Sequence, residues 1–86
     1  MTKSLAIEWG PRGVTCNAVA PTYVITPERA PRWEQPEIGG PMIAKIPLGR
    51  FGQPPDVGAV VAFLASDLAS LINGETVVID GGYTAR

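Results

Sequence analysis

Eight of the nine prolines fall between Pro21 and Pro55, and this crowding constrains the fold more than any other feature of the sequence. A proline inside a helix removes one hydrogen bond and clashes with the preceding turn, so no long uninterrupted helix fits that stretch. Regular structure is pushed to the two flanks. Short helical pieces still fit between prolines, for instance around Ile43 to Lys45. A structureless connection of this length is uncommon in a compact domain and is more often functional or disordered. Tyr23, Trp33, Met42 and Ile43 give it apolar side chains to bury, which favours a partly ordered lid over residues 21–53.

On the N-terminal flank, residues 1–10 read as the end of a helix. Met1, Leu5 and Trp9 lie four apart on one face with Ala6 beside them. Gly10-Pro11 stops it. Only Thr2 and Ser4 offer local caps for the four N–H groups that a helix start leaves open, so the pattern suggests a longer helix. Residues 13–20 follow as a strand whose small side chains and weak alternation fit burial on both faces, as in a parallel sheet. Pro21 is expected to end it, because proline cannot donate to a ladder.

On the C-terminal flank, Pro54-Pro55-Asp56 has the proline and the acid that favour a helix N-terminus. Val57, Val60, Val61, Leu64 and Leu68 then form one apolar stripe, and the helix is read as residues 54–67. After a turn ending at Asn73-Gly74, residues 75–79 are a β-branched run with the composition of a buried strand. Asp80-Gly81-Gly82 closes it. Strand, crossover and strand make one parallel βαβ unit, expected to be right-handed. Two strands are too few for an independent sheet, so the outer edge and one face need neighbours.

Size sharpens that point. A chain of 86 residues has a marginal core of its own. The usual reinforcements are missing: Cys16 is the single cysteine and there is no histidine. One cysteine makes no internal bridge, which fits a reducing cytoplasm. A net charge of −1 gives no electrostatic case for nucleic acid. No apolar run reaches membrane-spanning length, and Glu8 interrupts the stretch where a secretory signal would stay apolar.

Five blocks occur in one order: Leu5-Ala6-Ile7-Glu8-Trp9-Gly10, Val14 through Pro21, Ile46-Pro47-Leu48-Gly49-Arg50, Phe63-Leu64-Ala65-Ser66-Asp67, and Val78-Ile79-Asp80-Gly81-Gly82. Together they resemble the C-terminal third of the short-chain dehydrogenases/reductases, in the branch of ketoacyl reductases and sugar dehydrogenases. The resemblance covers essentially the whole chain. It implies an α/β fold, the last two strands of a doubly wound Rossmann-like parallel sheet with their crossover helix and substrate loop. In such sheets ligands bind outside the carboxyl ends of the strands. The family also implies NAD or NADP as cofactor, a small carbonyl or alcohol as substrate, and a homo-oligomer, commonly a tetramer.

Residue by residue, Pro21-Thr22-Tyr23-Val24-Ile25-Thr26 matches the family's Pro-Gly-x-Val/Ile-x-Thr stretch. The resemblance implies that the Val24 backbone holds the nicotinamide carboxamide and that the Thr26 hydroxyl donates near the cofactor phosphates. Pro21 and Thr22 complete the cofactor-binding set. Thr22 departs from the usual glycine. Positive φ there would strain a threonine; negative φ would leave it harmless. From Pro27 to Pro47 the lid resembles the family's substrate loop, with Tyr23, Trp33, Met42 and Ile43 as pocket residues. Arg29, Arg32 and Arg50 read as solvated charges, Arg50 with a structural hydrogen bond before the second helix. Asn17 reads as a buried amide satisfying backbone groups, and Cys16 as a small buried hydrophobe. Asp80 reads as a turn residue, and no metal site is expected.

Family chemistry uses a tyrosine with a lysine four residues later. Here Tyr23 is followed at that spacing by Pro27, and Tyr83 lies within four residues of the last position. No glycine-rich pyrophosphate turn follows a strand either. The sequence therefore offers no catalytic residue of its own. The expected roles are part of an oxidoreductase, a non-catalytic oligomerisation piece, or an unstable truncated product.

Overall fold

Two parallel strands, β1 (Ala18–Pro21) and β2 (Thr76–Ile79), are the whole sheet among the described residues, paired from Ala18–Thr76 to Pro21–Ile79. The computed structural model of the protein describes residues 1–85. Ahead of the sheet runs helix α1 (Thr2–Trp9), closed by a short 3-10 turn and by Gly13, whose φ of 79° places it in the left-handed region. Between the strands lie α2 (Ala30–Trp33), α3 (Pro36–Ile43) and α4 (Pro54–Leu64). A 3-10 turn at Asp67–Ala69 precedes β2, and another at Tyr83–Ala85 follows it.

The elements follow in the order helix, strand, two short helices, helix, strand; β1 starts later than residue 13 and runs one residue past 20, α4 starts at 54 and stops short of 67, and β2 covers 76–79. Ladder pairing begins at Ala18, not at residue 13. The segment before it is held instead by asparagine side chains: Asn73 Oδ1 accepts from the Cys16 N–H at 2.9 Å, and Asn17 Oδ1 accepts from the Glu75 N–H at 3.0 Å. Asn17 Nδ2 donates to the Ile72 carbonyl and Asn73 Nδ2 to the Ala6 carbonyl, so two amides join α1, the approach to β1 and the turn before β2. Asn17 thus has its expected bonding role, just before the strand and half-buried. Cys16 is half-buried as well.

Pro21 is the last residue of β1, inside the strand rather than just beyond it. The N–H groups of Ala18 and Thr22 donate to Glu75 and Ile79 carbonyls across the pair. By the alternation of the ladder the Pro21 nitrogen faces the opposite edge, where its missing hydrogen costs no bond to β2.

Helix α4 ends at Leu64, three residues short of the reading from its apolar stripe. The Ser66 hydroxyl donates to the Phe63 carbonyl at 2.6 Å, a local bond that competes with continued helix. Leu68 consequently falls in the 3-10 turn and is 85% exposed. In the lid, helical structure lies at Ala30–Trp33 and Pro36–Ile43, while residues 43–46 form the turn that leaves α3. Proline sits in the first turn of α2, α3 and α4, where its missing N–H is not needed.

Three apolar side chains are buried among the described residues: Ala6, Ile46 and Ala69. The radius of gyration is 15.9 Å, against about 12 Å for a compact domain of this length. The accessible surface of 6181 Å² likewise exceeds the roughly 4,900 Å² of a folded monomer of this mass. Among the described residues no strand pairs with the second edge of β1. The sheet margin inferred from two strands is present in the structure.

Candidate functional site

Of the predicted cofactor residues, Pro21 is the last of β1 while Thr22, Val24 and Thr26 lie on the loop leaving it, whose path is set at Tyr23. The last ladder bond runs from the Thr22 N–H to the Ile79 carbonyl at 3.1 Å. Tyr23 then takes φ 56°, the only non-glycine residue with positive φ among those described. A left-handed L residue costs on the order of 1–2 kcal/mol. The strain that the sequence placed conditionally on Thr22 is therefore absent there and sits one residue later.

This kink delivers Val24 to a parallel bridge with Gly52. The Gly52 N–H donates to the Tyr23 carbonyl at 3.0 Å, and the Ile25 N–H donates to the Gly52 carbonyl at 2.9 Å. In a parallel bridge the central residue's own groups point the other way. The Val24 N–H and C=O accordingly face away from Gly52, and neither is bonded to another described residue. A side chain at position 52 would begin 3.2 Å from Val24 Cγ2, so glycine permits the approach.

Thr26 begins the lid. Its carbonyl accepts from the Arg29 and Ala30 N–H groups at 3.0 and 3.1 Å, starting the turn into α2. The neighbouring Thr26 hydroxyl, as the largest cause, holds the Glu28 carboxyl below the usual carboxylate range. The hydroxyl expected to meet a cofactor phosphate thus lies near a carboxylate of its own loop.

Four aromatic rings line up beside the loop. Tyr23 lies 5.4 Å from Tyr83, edge to face, and 6.4 Å from Phe51. Phe51 lies 5.9 Å from Trp33, again edge to face. Such pairs contribute about 0.5–1.5 kcal/mol beyond area burial, comparable with the left-handed strain they flank. Two of the four predicted pocket residues, Tyr23 and Trp33, are brought together through Phe51. Met42 and Ile43 lie half-buried at the end of α3. Sequence reasoning missed Phe51 and gave Tyr83 no role. An aromatic just before Gly52, the residue that approaches Val24, was the available signal for the first.

Burial, followed by the neighbouring Tyr83 hydroxyl, raises the Tyr23 pKa above its ordinary value of 10.0. Tyr23 stays protonated at neutral pH and is not poised as an acid or base. Arg50 forks onto Asp56, Nη1 to Oδ2 at 3.1 Å and Nη2 to Oδ1 at 3.3 Å, and also donates to the Phe51 carbonyl. Asp56 Oδ2 accepts from the Gln53 N–H at 2.7 Å, which caps α4. This guanidinium is a structural tie, as expected, and not an anion receptor.

Asp80 closes the sheet. Its Oδ1 accepts from the Gly82 N–H at 2.9 Å, and its Oδ2 from the Thr84 N–H at 3.0 Å and the Thr84 hydroxyl at 2.6 Å. Among the described residues no three His, Cys, Asp or Glu side chains group to hold a metal, and no helix is long and apolar enough to cross a membrane. A cavity of about 190 Å³ opens at the carboxyl ends of both strands, lined in part by Thr22, Gly52, Ile79 and Asp80.

A family model described as enoyl-(acyl carrier protein) reductase matches residues 1–84. The NAD-dependent glycerol dehydrogenase of Listeria innocua is 46% identical over 86 residues, 100% of this chain and 34% of that protein. The D-threitol dehydrogenase of Mycolicibacterium smegmatis is also 46% identical, over 100% of this chain and 33% of its own length. Among solved structures, a protein assigned as an NAD(P)-dependent gluconate 5-dehydrogenase from Beutenbergia cavernae, with NADP bound at low occupancy, superposes with a TM-score of 0.86. It is 42% identical and is matched over 99% of this chain and 34% of its own. The chain thus spans about a third of the length of the relatives it matches.

Proposed function

Because the chain belongs to the short-chain dehydrogenase/reductase family, we propose that it forms the nicotinamide-side wall of an NAD(P)(H)-dependent oxidoreductase that interconverts a hydroxyl and a carbonyl group. One observation carries the reading: the Val24 N–H and C=O are bonded to no described residue and point away from the Gly52 bridge. A primary amide needs one acceptor and one donor, and a single residue's backbone offers both. The cofactor's nicotinamide supplies the hydride when bound; Val24 would hold its carboxamide and fix which ring face meets the substrate.

Pro21 and Thr22 carry the chain off the strand to that point. Thr26 would turn its hydroxyl from Glu28 to a cofactor phosphate oxygen. Tyr23 and Trp33, joined through Phe51, would exclude water from the reacting face, as lids do. Proton transfer is not assigned to these residues: the 86 positions contain no Tyr-x-x-x-Lys.

A homo-oligomer is part of the same proposal. Val61, Phe63 and Val78 are exposed, and an apolar groove lined by Val60, Phe63, Ile72 and Val77 runs between α4 and β2. Cytoplasmic location is proposed too, supported by the free Cys16.

The test is a chimaera in which these 86 residues replace the matching third of the Listeria glycerol dehydrogenase. Calorimetry would compare NADH with ADP-ribose, which keeps the diphosphate and lacks the nicotinamide. The chimaera is expected to bind NADH the more tightly, and Thr26→Ala to weaken both. Equal affinities for the two ligands would remove Val24 from the cofactor site.

A further inference from the structure

Tyr23 adopts a backbone conformation that its side chain disfavours, and something must hold it there. The loop's own hydrogen bonds supply one restraint, the Tyr23 carbonyl accepting from Gly52. The side chain supplies others. Its ring is half-buried between Phe51, at the return of the lid, and Tyr83, beyond the last strand. These two come from segments far apart in the chain and converge on one ring.

Tyr83 is itself firmly placed. Its N–H donates to the Asp80 carbonyl at 3.2 Å, and the Asp80 carboxylate ties the backbone on either side, at Gly82 and Thr84. Gly81 and Gly82, with φ of 64° and 97°, let the chain double back so that the ring reaches the loop. An exposed tail residue would need no such scaffold.

The geometry points to Tyr83 as a positioning residue: its ring, opposite Phe51, clamps Tyr23 in the left-handed conformation that turns the Val24 backbone toward the cofactor. This rests on the carboxamide reading of Val24 given above. Tyr83 touches neither cofactor nor substrate in this account. It acts through Tyr23, and the ring matters more than the hydroxyl, because the contact is edge to face.

The experiment uses the same chimaeric enzyme, with NADH and ADP-ribose as probes. Tyr83→Ala is expected to weaken NADH binding roughly three- to tenfold, the affinity equivalent of one aromatic pair, and to leave ADP-ribose unchanged. Tyr83→Phe should keep NADH affinity within about twofold, since the ring edge survives. Glycine takes positive φ without strain, so in a Tyr23→Gly background the Tyr83→Ala change should have no further effect. If alanine prevents folding, Tyr83→Leu, which keeps apolar volume and loses the ring edge, serves in its place. Equal losses for both ligands would mean a merely structural role and would overturn the clamp. So would an unchanged NADH affinity in an enzyme that still prefers NADH to ADP-ribose. An unsubstituted enzyme with no such preference would instead refute the carboxamide reading itself.

Discussion

Single residues in this protein act mainly by holding backbone where no ladder reaches. Asp80 is the clearest. Its bond to the Thr84 hydroxyl, then those to the Thr84 and Gly82 N–H groups, lowers its pKa below the ordinary value of 3.8. A carboxylate whose pKa is depressed in the folded state stabilises the fold fully above its unfolded pKa and loses that contribution as pH falls through the folded value. Acidification below about pH 4 should therefore loosen the turn that carries Tyr83. In denaturant titrations of the chimaera, the wild type should lose stability on the acid side more steeply than Asp80→Asn. Parallel acid profiles would show that Asp80 adds nothing to the turn. Asn17 and Asn73 work similarly through neutral amides. Asn17 was legible as an amide satisfying backbone groups and Asn73 as part of a turn, but Asn73 reaches the Ala6 carbonyl 67 positions away, and no local pattern announces that bond.

At the scale of elements, the sequence marks starts better than stops. Pro54-Pro55-Asp56 marks the start of α4, where the structure begins the helix at Pro54. The apolar stripe through Leu68 overruns the end, because side-chain periodicity continues into the 3-10 turn after the helical hydrogen bonds stop. The lid shows the opposite effect. Its prolines were read as excluding a long helix, yet two of them, Pro31 and Pro36, sit in the first turn of a short one, and the packing of α2 on α3 depends on a glycine. A Cβ at Gly39 would lie 1.9 Å from the Trp33 carbonyl oxygen, 3.1 Å from its carbon and 3.2 Å from Phe51 Cε2. Backbone atoms cannot yield as a flexible side chain can. Gly39→Ala is expected to cost about 1–3 kcal/mol in urea unfolding of the chimaera and to separate Trp33 from Phe51. A change within about 0.5 kcal/mol would mean that α3 moves freely on α2.

For the whole molecule, surface is the governing quantity. The accessible area exceeds that of a compact monomer by roughly 1,300 Å², more than the roughly 800 Å² that one partner buries in a standard interface. Three buried apolar side chains do not offset the conformational entropy of ordering a chain this long. These 86 residues by themselves are expected to melt without a cooperative transition by circular dichroism, and to show no NAD(P)H-dependent turnover. A sharp thermal transition would contradict the first expectation, and steady-state carbonyl reduction by pure material the second. The same segment seated in the chimaera should melt with the rest of the sheet.

Taken alone, the sequence determined the order of elements, the parallel relation of the strands, the incompleteness of the sheet and the family. Each rests on local pattern: periodicity, capping residues and short blocks in a fixed order. The resemblance also put the proposed cofactor residues at the end of the first strand and on the loop after it. The tertiary structure alone decided that Tyr23 and not Thr22 carries positive φ, that Gly52 turns the Val24 backbone outward, and that Phe51 and Tyr83 close on one ring. Those outcomes depend on contacts between segments dozens of residues apart, whose energies are comparable with the local strain they overcome, so no window of sequence contains the decision.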